Sequence, residues 1–384
     1  MNFDDSPEDK AFRAEFRAWL TANNPGPIPP DPDAAFEFRR AWQKTMYDAG
    51  WAAPGWPREW GGREATVSQR VIVQEEIALA RAAVIINAIG VWNIGPTLLE
   101  FGTEDQKRRW LPAMLSAQEI WCQGFSEPGA GSDLASLQTK ATRGGDDYRV
   151  SGQKVWISYG HRADRCFLLC RTGDTGHRGM CVLVLNMHAA GVETRPIREM
   201  TGDAAFVELF LDDVRVPVAD RVGEEGDGWR IAMSTLTHER VGTVTYGIQL
   251  RQKLESLLRK QEAWPTGEVE GRLARQDLAA LWTEIEIIRL TALRAVTKAA
   301  RGEVPWPEVP IGKLLWSMSA QHLSETAVHL FGADGLRTRG DDRAPDEGRW
   351  AWDLAQTRMT TIGAGTTEIQ KNTLAERALG LPRS

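Results

Sequence analysis

The sequence lacks several features that would place it in a specialised class of protein. Its four cysteines form neither CxxC pairs nor the spacing of a disulfide framework, which predicts ordinary buried thiols in a reducing compartment. Basic residues are not in excess, since 46 Lys and Arg stand against 52 Asp and Glu, giving a net charge of −6. Because binding to nucleic acid needs a concentrated positive surface, we expect no nucleic acid partner.

Long apolar runs and targeting segments are also missing. The longest apolar run, residues 82–95, is shorter than the roughly 18 residues that span a bilayer, so we expect no membrane span. The N-terminal residues are acidic, unlike a secretory signal or an Arg-rich transit peptide. No repeat of fixed period and no low-complexity tract is visible. These absences predict a cytoplasmic protein.

What is present predicts an α+β multidomain fold with three parts in the order helical, β, helical. In residues 1–120, Ser6 is a candidate N-cap with Pro7 at the first helical position, and helical periodicity recurs further on. The later helical segments of this N-terminal α-helical domain are 36–49, 66–82 and 104–118.

The middle part, residues 121–228, predicts a β-domain. It contains short segments rich in β-branched and aromatic residues with turn residues between them, at 146–158, 165–172, 180–187, 192–197 and 205–217. Residues 229–384 return to helical periodicity and predict a C-terminal four-helix bundle domain, with helices at 229–261, 268–301, 307–332 and 348–378.

Four ordered motifs carry a family resemblance. They are QGFSEPGAGSDLAS (123–136), KVWIS (154–158), FGADG (331–335) and GTTEIQKNTLAERALGLPR (365–383). A glycine-rich loop such as the first suits a phosphate-bearing or heteroaromatic cofactor, although a plain interdomain loop has the same composition. Together and in this order the motifs resemble the FAD-dependent acyl-CoA dehydrogenase family over nearly the whole chain. The resemblance implies the fold derived above, FAD as cofactor and no metal.

The resemblance also implies cofactor-binding residues in the first two motifs. Phe125 and Ser126 are expected at the pyrimidine edge of the flavin, and Gly131 and Ser132 near the diphosphate. Trp156 is expected beside the isoalloxazine ring, although a core aromatic is the alternative in a chain with sixteen tryptophans. Ser158 is expected near flavin N5.

Two further stretches are implied to meet the cofactor. Phe331, Gly332 and Gly335 are expected to reach the FAD of a neighbouring subunit, although a glycine-rich helix C-cap also explains both glycines. Thr366 and Glu368 are expected to contact the flavin nucleotide. The chain departs from the family in residues 259–276, where no Arg-x-x-Phe-Gly segment is visible, so the arginine that meets the diphosphate is not identified.

The second departure from the family's pattern concerns the catalytic base. Many family members carry a glutamate in a Tyr-Glu-Gly-Thr stretch, and the same place here reads Gly-Ala-Gly-Thr, with Ala364 and Gly365 left to contact the substrate through the backbone. A subset that includes isovaleryl-CoA, long-chain and actinobacterial steroid side-chain enzymes carries its base in a Glu-Arg pair on the first bundle helix. Here that pair is Glu239, the expected base, and Arg240, the expected contact to CoA, with Thr237 in place of a frequent aspartate.

The residue pattern supports Glu239 independently. A stripe of apolar spacing runs through Trp229, Ala232, Leu236, Glu239, Thr243, Tyr246 and Leu250. A carboxylate on such a stripe is costly unless it is paired or functional, and burial tends to raise its pKa towards the range of a general base. A glutamate paired to arginine at the edge of the stripe is the structural alternative.

These features predict an acyl-CoA dehydrogenase that acts on a bulky or branched acyl group. The expected partners are an electron-transfer flavoprotein as electron acceptor and further subunits in a homotetramer or a heterotetramer. Two alternatives remain open: a catalytically silent FAD-binding subunit of a hetero-oligomer, suggested by the lost glutamate, and a flavin oxidase on the same fold.

Overall fold

The computed structural model describes residues 5–173, 176–239, 243–264 and 268–382, without the side chains of residues 239, 243–245, 263 and 268–270. Within these residues the order helical, β, helical is confirmed. The domain boundaries after residues 120 and 228 stay a prediction. None of the described helices is long and apolar enough to cross a membrane.

The N-terminal third is helical, as its periodicity predicts. Its helices are α1 (Pro7–Asn23), α2 (Pro32–Asp48), α3 (Val67–Leu79), α4 (Gly95–Phe101) and α5 (Glu104–Leu115). Ser6 accepts a hydrogen bond from the Asp9 N–H at 3.1 Å, which confirms the predicted N-cap. Thr66 and Thr103 begin α3 and α5 with capping boxes.

The apolar run 82–95 does not form a regular α-helix. Its second half, Ile89–Ile94, is a π-helix that leads directly into α4. Buried Asn87 fixes its start, because its side chain donates to the carbonyls of Met114 and Glu119 and accepts from the Trp121 N–H. A π-helical turn of this kind is rare and often lies at a functional site.

The middle part is one mixed sheet. Its strands are β1 (Trp121–Gly124), β2 (Lys140–Gly144), β3 (Asp147–Ser158), β4 (Arg165–Arg171), β5 (Met180–Asn186), β6 (Val192–Ile197), β7 (Phe206–Pro217) and β8 (Arg221–Val222). The five predicted strands are confirmed within one residue, and β1, β2 and β8 were not predicted. The order along the sheet is β6-β7-β3-β2-β4-β5-β8, with β1 pairing parallel to β4.

The last part is helical, and one of its four predicted helices is wrong. The predicted helix over 229–261 contains residues 240–242, which lie outside the described residues. Its helices are α6 (Gly228–Glu239), α7 (Thr243–Leu258), α8 (Glu268–Ala300), α9 (Glu308–Phe331), α10 (Arg349–Gln356) and α11 (Thr367–Arg377). The helix predicted over 348–378 is broken into α10, a 3-10 turn (Thr357–Thr361) and α11. The break follows from the backbone at Ala364 and Gly365, whose φ angles of +53° and +84° are left-handed.

The chain forms two compact units. One comprises most of α1 with α3 and α7 to α11, and its core contains Leu254, Leu281 and Leu323. The other comprises α2, α4 to α6 and the sheet, and its core lies on the sheet around Tyr148 and Leu183. All four cysteines are fully buried thiols of this second unit, as predicted.

Candidate active site

The glycine-rich loop after β1 is held by a buried ion pair. Lys154 of β3 is fully buried, and its Nζ donates to the Glu127 Oε1 at 2.8 Å and to the Phe125 carbonyl at 2.9 Å. Glu127 also accepts the N–H groups of Gln138 and Thr139, so both of its carboxylate oxygens accept hydrogen bonds from donors of this unit. The two motifs that carry the family resemblance here are therefore joined by one side-chain pair.

The ion pair changes the electrostatics of both partners. Burial alone would raise the pKa of Glu127, but the Lys154 ammonium and the N–H donors hold that pKa below its usual value. Burial lowers the pKa of Lys154, and Glu127 opposes that change. Each member of the pair therefore favours the charged form of the other, against the cost of burial.

Trp156 occupies a β-bulge. Between Lys154 and Ile157, two residues of β3 stand opposite one residue of β7, and Trp156 itself has a φ of +62°. Its indole is 59% exposed and touches Phe206 edge-on, at 6.1 Å between ring centroids. The core-aromatic alternative for Trp156 is therefore wrong. A strained, exposed tryptophan on a bulge is an arrangement typical of a binding site, because it presents a flat apolar face to a ligand.

The other sequence-predicted residues of this unit have mixed surroundings. Ser126 and Ser158 are half-buried, and Gly131 and Ser132 are exposed in a loop where a Cβ on Gly131 would meet nothing within 4 Å. The ring of Phe125 is buried against Phe167, at 6.4 Å between ring centroids, so the Phe125 side chain packs in the core.

Helix α6 carries the predicted base at its end. Its fully buried residues are Ile231, Ala232 and Thr235, whereas Trp229 and Leu236 are only half-buried, so the predicted stripe is shifted by about one residue. The shift follows from small and hydroxyl-bearing residues packing against α4, where the Thr235 hydroxyl meets that of Thr97 at 3.1 Å. The position of Glu239 is four residues beyond Thr235 and so keeps the register of the buried face.

Part of the predicted site lies in residues or side chains that the structure does not describe. The Glu239 side chain and all of Arg240 are among the residues that the structure does not describe. Thr237, which stands in place of the family's aspartate, is exposed, and its hydroxyl donates to the Met233 carbonyl. The neighbouring His238 is half-buried, with its Nε2 at 3.5 Å from the Ser234 hydroxyl.

In the other unit, the segment between α10 and α11 is held by Gln370. This side chain is 4% exposed, and its Nε2 donates to the Ala364 carbonyl at 3.0 Å. A Cβ on Gly365 would lie 2.7 Å from the same nitrogen, which explains the glycine. The Ala364 N–H has no hydrogen-bond partner among the described residues and is available to a ligand. Thr366 is the N-cap of α11, accepting from the Ile369 N–H at 3.2 Å.

The FGADG stretch ends α9. Gly332 is the C-cap with a φ of +59°, and a Cβ on Gly335 would lie 2.6 Å from the Val328 carbonyl oxygen. Both glycines are therefore required by the end of the helix, as the C-cap alternative states. Phe331 is buried in the core of this unit. Their expected contact with a neighbour's cofactor stays a prediction.

Three residues around the predicted site were missed by sequence reasoning: Glu127, Lys154 and Gln370. Each lies inside a quoted motif but carries no cofactor role in the resemblance. For Glu127 and Lys154 the sequence does offer a signal, because a Glu or Lys in a stretch that otherwise becomes buried needs a partner of opposite charge.

The comparisons with known proteins agree with this arrangement. Family models for acyl-CoA dehydrogenases match the N-terminal domain over residues 6–118, the middle domain over 122–214 and the C-terminal domain over 226–379. The chain is 40% identical over 396 residues to the acyl-CoA dehydrogenase IpdE1 of Mycolicibacterium smegmatis, covering 98% of each protein. The chain therefore belongs to the acyl-CoA dehydrogenase family.

Solved structures show the same fold. The ChsE4–ChsE5 complex from Mycobacterium tuberculosis matches with a TM-score of 0.86 at 30% identity, covering all of both chains. The Tcur3481–Tcur3483 steroid ACAD matches with a TM-score of 0.86 at 28% identity, again over all of both chains. The protein is thus an oxidoreductase that uses FAD to dehydrogenate acyl-CoA thioesters at a CH–CH bond.

Proposed function

We propose that this chain removes the α-proton of a bulky acyl-CoA thioester with Glu239 while the β-hydride leaves to FAD. The observation that carries the proposal is that the sequence has Ala364 at the usual position of the base and Glu239 at the alternative position. The place of the usual glutamate holds a side chain that takes no proton, and a carboxylate stands at the end of α6 in the register of its buried face. A carboxylate in such a position tends towards the pKa of a general base.

The described residues fit FAD. Trp156 offers an exposed indole face of the size that a flavin ring needs, and Ser126 and Ser158 lie half-buried at the two stretches joined by Lys154. Gly131 and Ser132 lie in an open loop with room for a diphosphate. When bound, FAD accepts the hydride at N5. The proposed cofactor-binding residues of the other unit are Phe331, Gly332, Gly335, Thr366 and Glu368.

The substrate is held and polarised by backbone and side chains of this chain. The Ala364 N–H bonds the thioester oxygen, which stabilises the negative charge that develops there as the α-proton leaves. Gln370 orients this peptide through the Ala364 carbonyl. Gly365 allows the left-handed turn that presents the N–H, and Arg240 meets the CoA part.

The relatives support a proposal for the substrate class and the partners. One solved relative is named a steroid ACAD and another is a complex of two differently named chains. We therefore propose a steroid-type or similarly bulky acyl group and assembly with a related chain into a tetramer. An electron-transfer flavoprotein is the proposed electron acceptor, and the cytoplasm the proposed location.

Single-turnover reduction of the bound flavin under anaerobic conditions tests the base, because it separates chemistry from the electron acceptor. A panel of acyl-CoA thioesters that includes steroid-type acyl groups is mixed with wild type and with Glu239→Gln, which keeps the side-chain shape. We expect the variant to keep its FAD and to reduce it about 10²- to 10⁴-fold more slowly. Glu255→Gln, a carboxylate of α7 paired with Arg251, is the control and keeps the wild-type rate.

Three outcomes contradict the proposal in different ways. A Glu239→Gln protein that reduces its flavin at the wild-type rate means that Glu239 is not the base. If reduction needs a related chain, and the assembly that contains Glu239→Gln is then reduced at the wild-type rate, this chain is a silent subunit. Rapid oxygen consumption during turnover identifies an oxidase.

A further inference from the structure

Asn93, in the π-helix before α4, carries a side-chain amide that the fold does not use. The residue is half-buried, and its amide has no hydrogen-bond partner among the described residues. Asn87, in contrast, uses its amide both to donate to two carbonyls and to accept from a backbone N–H. A polar group that is partly shielded from water and unpaired in the protein is well placed to bind a ligand.

The backbone around Asn93 is held in place. The π-helix Ile89–Ile94 is closed by a bond from the Gly95 N–H to the Gly90 carbonyl. A Cβ on Gly90 would lie 2.6 Å from the Asn87 Oδ1, so the glycine lets that buried amide pack closely against the helix. The π-helical turn therefore presents Asn93 in a defined position, and a preorganised polar group loses less entropy when it binds a ligand.

The helices α4 and α6 run antiparallel within the second unit. The Thr97 hydroxyl of α4 meets that of Thr235 in α6 at 3.1 Å. One turn later in α4, the ring of Phe101 lies 4.6 Å from the guanidinium carbon of Arg230, which stands five residues before Thr235 in α6. Moving forward along α4 thus means moving backward along α6.

This antiparallel register brings Asn93 level with the end of α6. Asn93 stands one turn before Thr97 and on the same face, and its carbonyl lies 2.9 Å from the Thr97 hydroxyl. Position 239 stands one turn after Thr235. Both positions therefore lie on the same side of the threonine contact, each about 5.4 Å from it along its own helix.

We propose that Asn93 binds an oxygen atom of the acyl group, a hydroxyl or a ketone, close to the carbon that loses its proton. The inference rests on the proposed function, in which Glu239 takes that proton. A side-chain amide both donates and accepts, so it fits either oxygen, whereas a purely hydrocarbon acyl group leaves it unpaired. Asn93 is then a specificity-determining residue, and the bulky acyl group is an oxygenated one.

The test compares three saturated bicyclic acyl-CoA thioesters that carry no ring oxygen, a ring hydroxyl or a ring ketone. Calorimetry on the FAD-loaded Glu239→Gln protein measures their affinities without fast turnover, with the related chain present if wild type needs it. We expect the oxygenated thioesters to bind about tenfold more tightly than the plain one, and a second substitution, Asn93→Leu, to remove that preference. The FAD-free melting temperature of Asn93→Leu should not fall, because leucine is the better helix former and no contact of the fold is lost.

Asn93→Asp separates the two oxygen groups. A carboxylate accepts hydrogen bonds but donates none, so this variant should keep its affinity for the hydroxyl thioester and lose affinity for the ketone. Ser234→Ala is the matched control, because its hydroxyl donates to Glu100 at 2.7 Å across the same pair of helices. It removes a bond between the helices and should leave the ratio of the three affinities unchanged.

The role of Asn93 is overturned if the parent protein binds all three thioesters alike or binds none of them. An Asn93→Leu protein that keeps the preference, or that weakens all three affinities by the same factor, overturns it as well. If the three thioesters bind but none reduces the flavin of wild type, the proposed function fails, and the affinities still decide the role of Asn93.

Discussion

The pair of Lys154 and Glu127 is the residue-scale feature on which the proposed FAD site of this unit depends. It ties the glycine-rich loop to β3 two residues before Trp156, through the Phe125 carbonyl as well as the Glu127 carboxylate. The Val155 N–H adds a bond to the Ser126 carbonyl at 2.9 Å. The loop and the bulge are therefore one rigid element, although 25 or more residues separate them in sequence.

Glu127→Gln should destabilise the protein strongly at neutral pH. The substitution leaves the Lys154 ammonium buried and uncompensated, and breaking a buried pair in this way costs about 3–5 kcal/mol. The folded-state pKa of Glu127 is depressed, so its contribution is present above the unfolded-state pKa of about 4.3 and is lost as pH falls through the depressed value. Urea unfolding midpoints at pH 7 and at pH 3 measure this, and the gap between wild type and variant should narrow at the lower pH.

The exposed pair of Glu193 and Arg195 supplies the control for that experiment. Glu193→Gln removes the same charge from a solvated site and should leave the midpoint unchanged at both pH values. A gap for Glu127→Gln that is as wide at pH 3 as at pH 7 would show that the lost charge is not what destabilises the variant.

Residue types alone do not show which side chains become buried, so the buried charged residues around the proposed site were not predicted from the sequence. The motifs predicted which stretches meet FAD, because they resemble those of a known family. They carry no information on which side chains point inward, so Lys154 and Lys313 are ordinary lysines in the sequence. Only the three-dimensional arrangement shows one of them paired and the other, among the described residues, without a hydrogen-bond partner.

At the scale of elements, α6 matters most because it ends at the proposed base. Its contact to α4 is made by two buried hydroxyls, those of Thr97 and Thr235, at 3.1 Å from each other. One of them donates to the other, and the accepting hydroxyl donates to a carbonyl of its own helix, that of Asn93 or Ile231. A second bond runs from the Ser234 hydroxyl to Glu100 at 2.7 Å. These contacts fix the rotation of α6 about its axis and with it the position of Glu239.

Thr235→Val should therefore slow flavin reduction more than its effect on stability suggests. The change keeps the shape but removes the hydrogen bond between the two helices, at a cost of about 1 kcal/mol, and leaves the Thr97 hydroxyl with only the Asn93 carbonyl of its own helix. Thr237→Val on the same helix is the control, because that hydroxyl is exposed and bonds only to its own helix. Thermal unfolding and single-turnover reduction are both measured. If Thr237→Val slows reduction as much as Thr235→Val, the contact to α4 does not position the base.

Helices and strands were predicted correctly where a single residue pattern determines the secondary structure. The five longer strands are dense in β-branched and aromatic residues, and sequence reasoning placed each within a residue. The short strand β1 and the π-helix at Ile89–Ile94 were missed, because their form depends on buried Asn87 and on strand pairing distant in sequence. The helix predicted over 348–378 failed because two left-handed residues interrupt a continuous apolar period.

At the scale of the whole molecule, α8 presents an unusual apolar face. Ile287 and Leu290 are neighbours on one side of the helix and are 45% and 38% exposed, and Leu273, about 21 Å away along the same side, is 62% exposed. Clustered exposed apolar side chains mark protein interaction sites more often than isolated ones do. This face is therefore a candidate contact for the proposed tetramer.

Ile287→Glu should break that assembly. A charge in the middle of an apolar interface is costly to bury, so we expect native mass spectrometry to show smaller species than the tetramer formed by the wild-type chain, alone or with a related chain. If the FGADG stretch at the end of α9 serves a neighbour's FAD, the smaller species should also hold less flavin, measured as the ratio of flavin absorbance to protein.

Val304→Glu, in an exposed connection between α8 and α9, is the control and should change neither quantity. Because FAD stabilises only the folded chains that bind it, the loss should also appear as a lower melting temperature at limiting FAD that excess FAD partly restores. A monomeric wild-type chain that retains tightly bound FAD would contradict both the assembly and the shared cofactor.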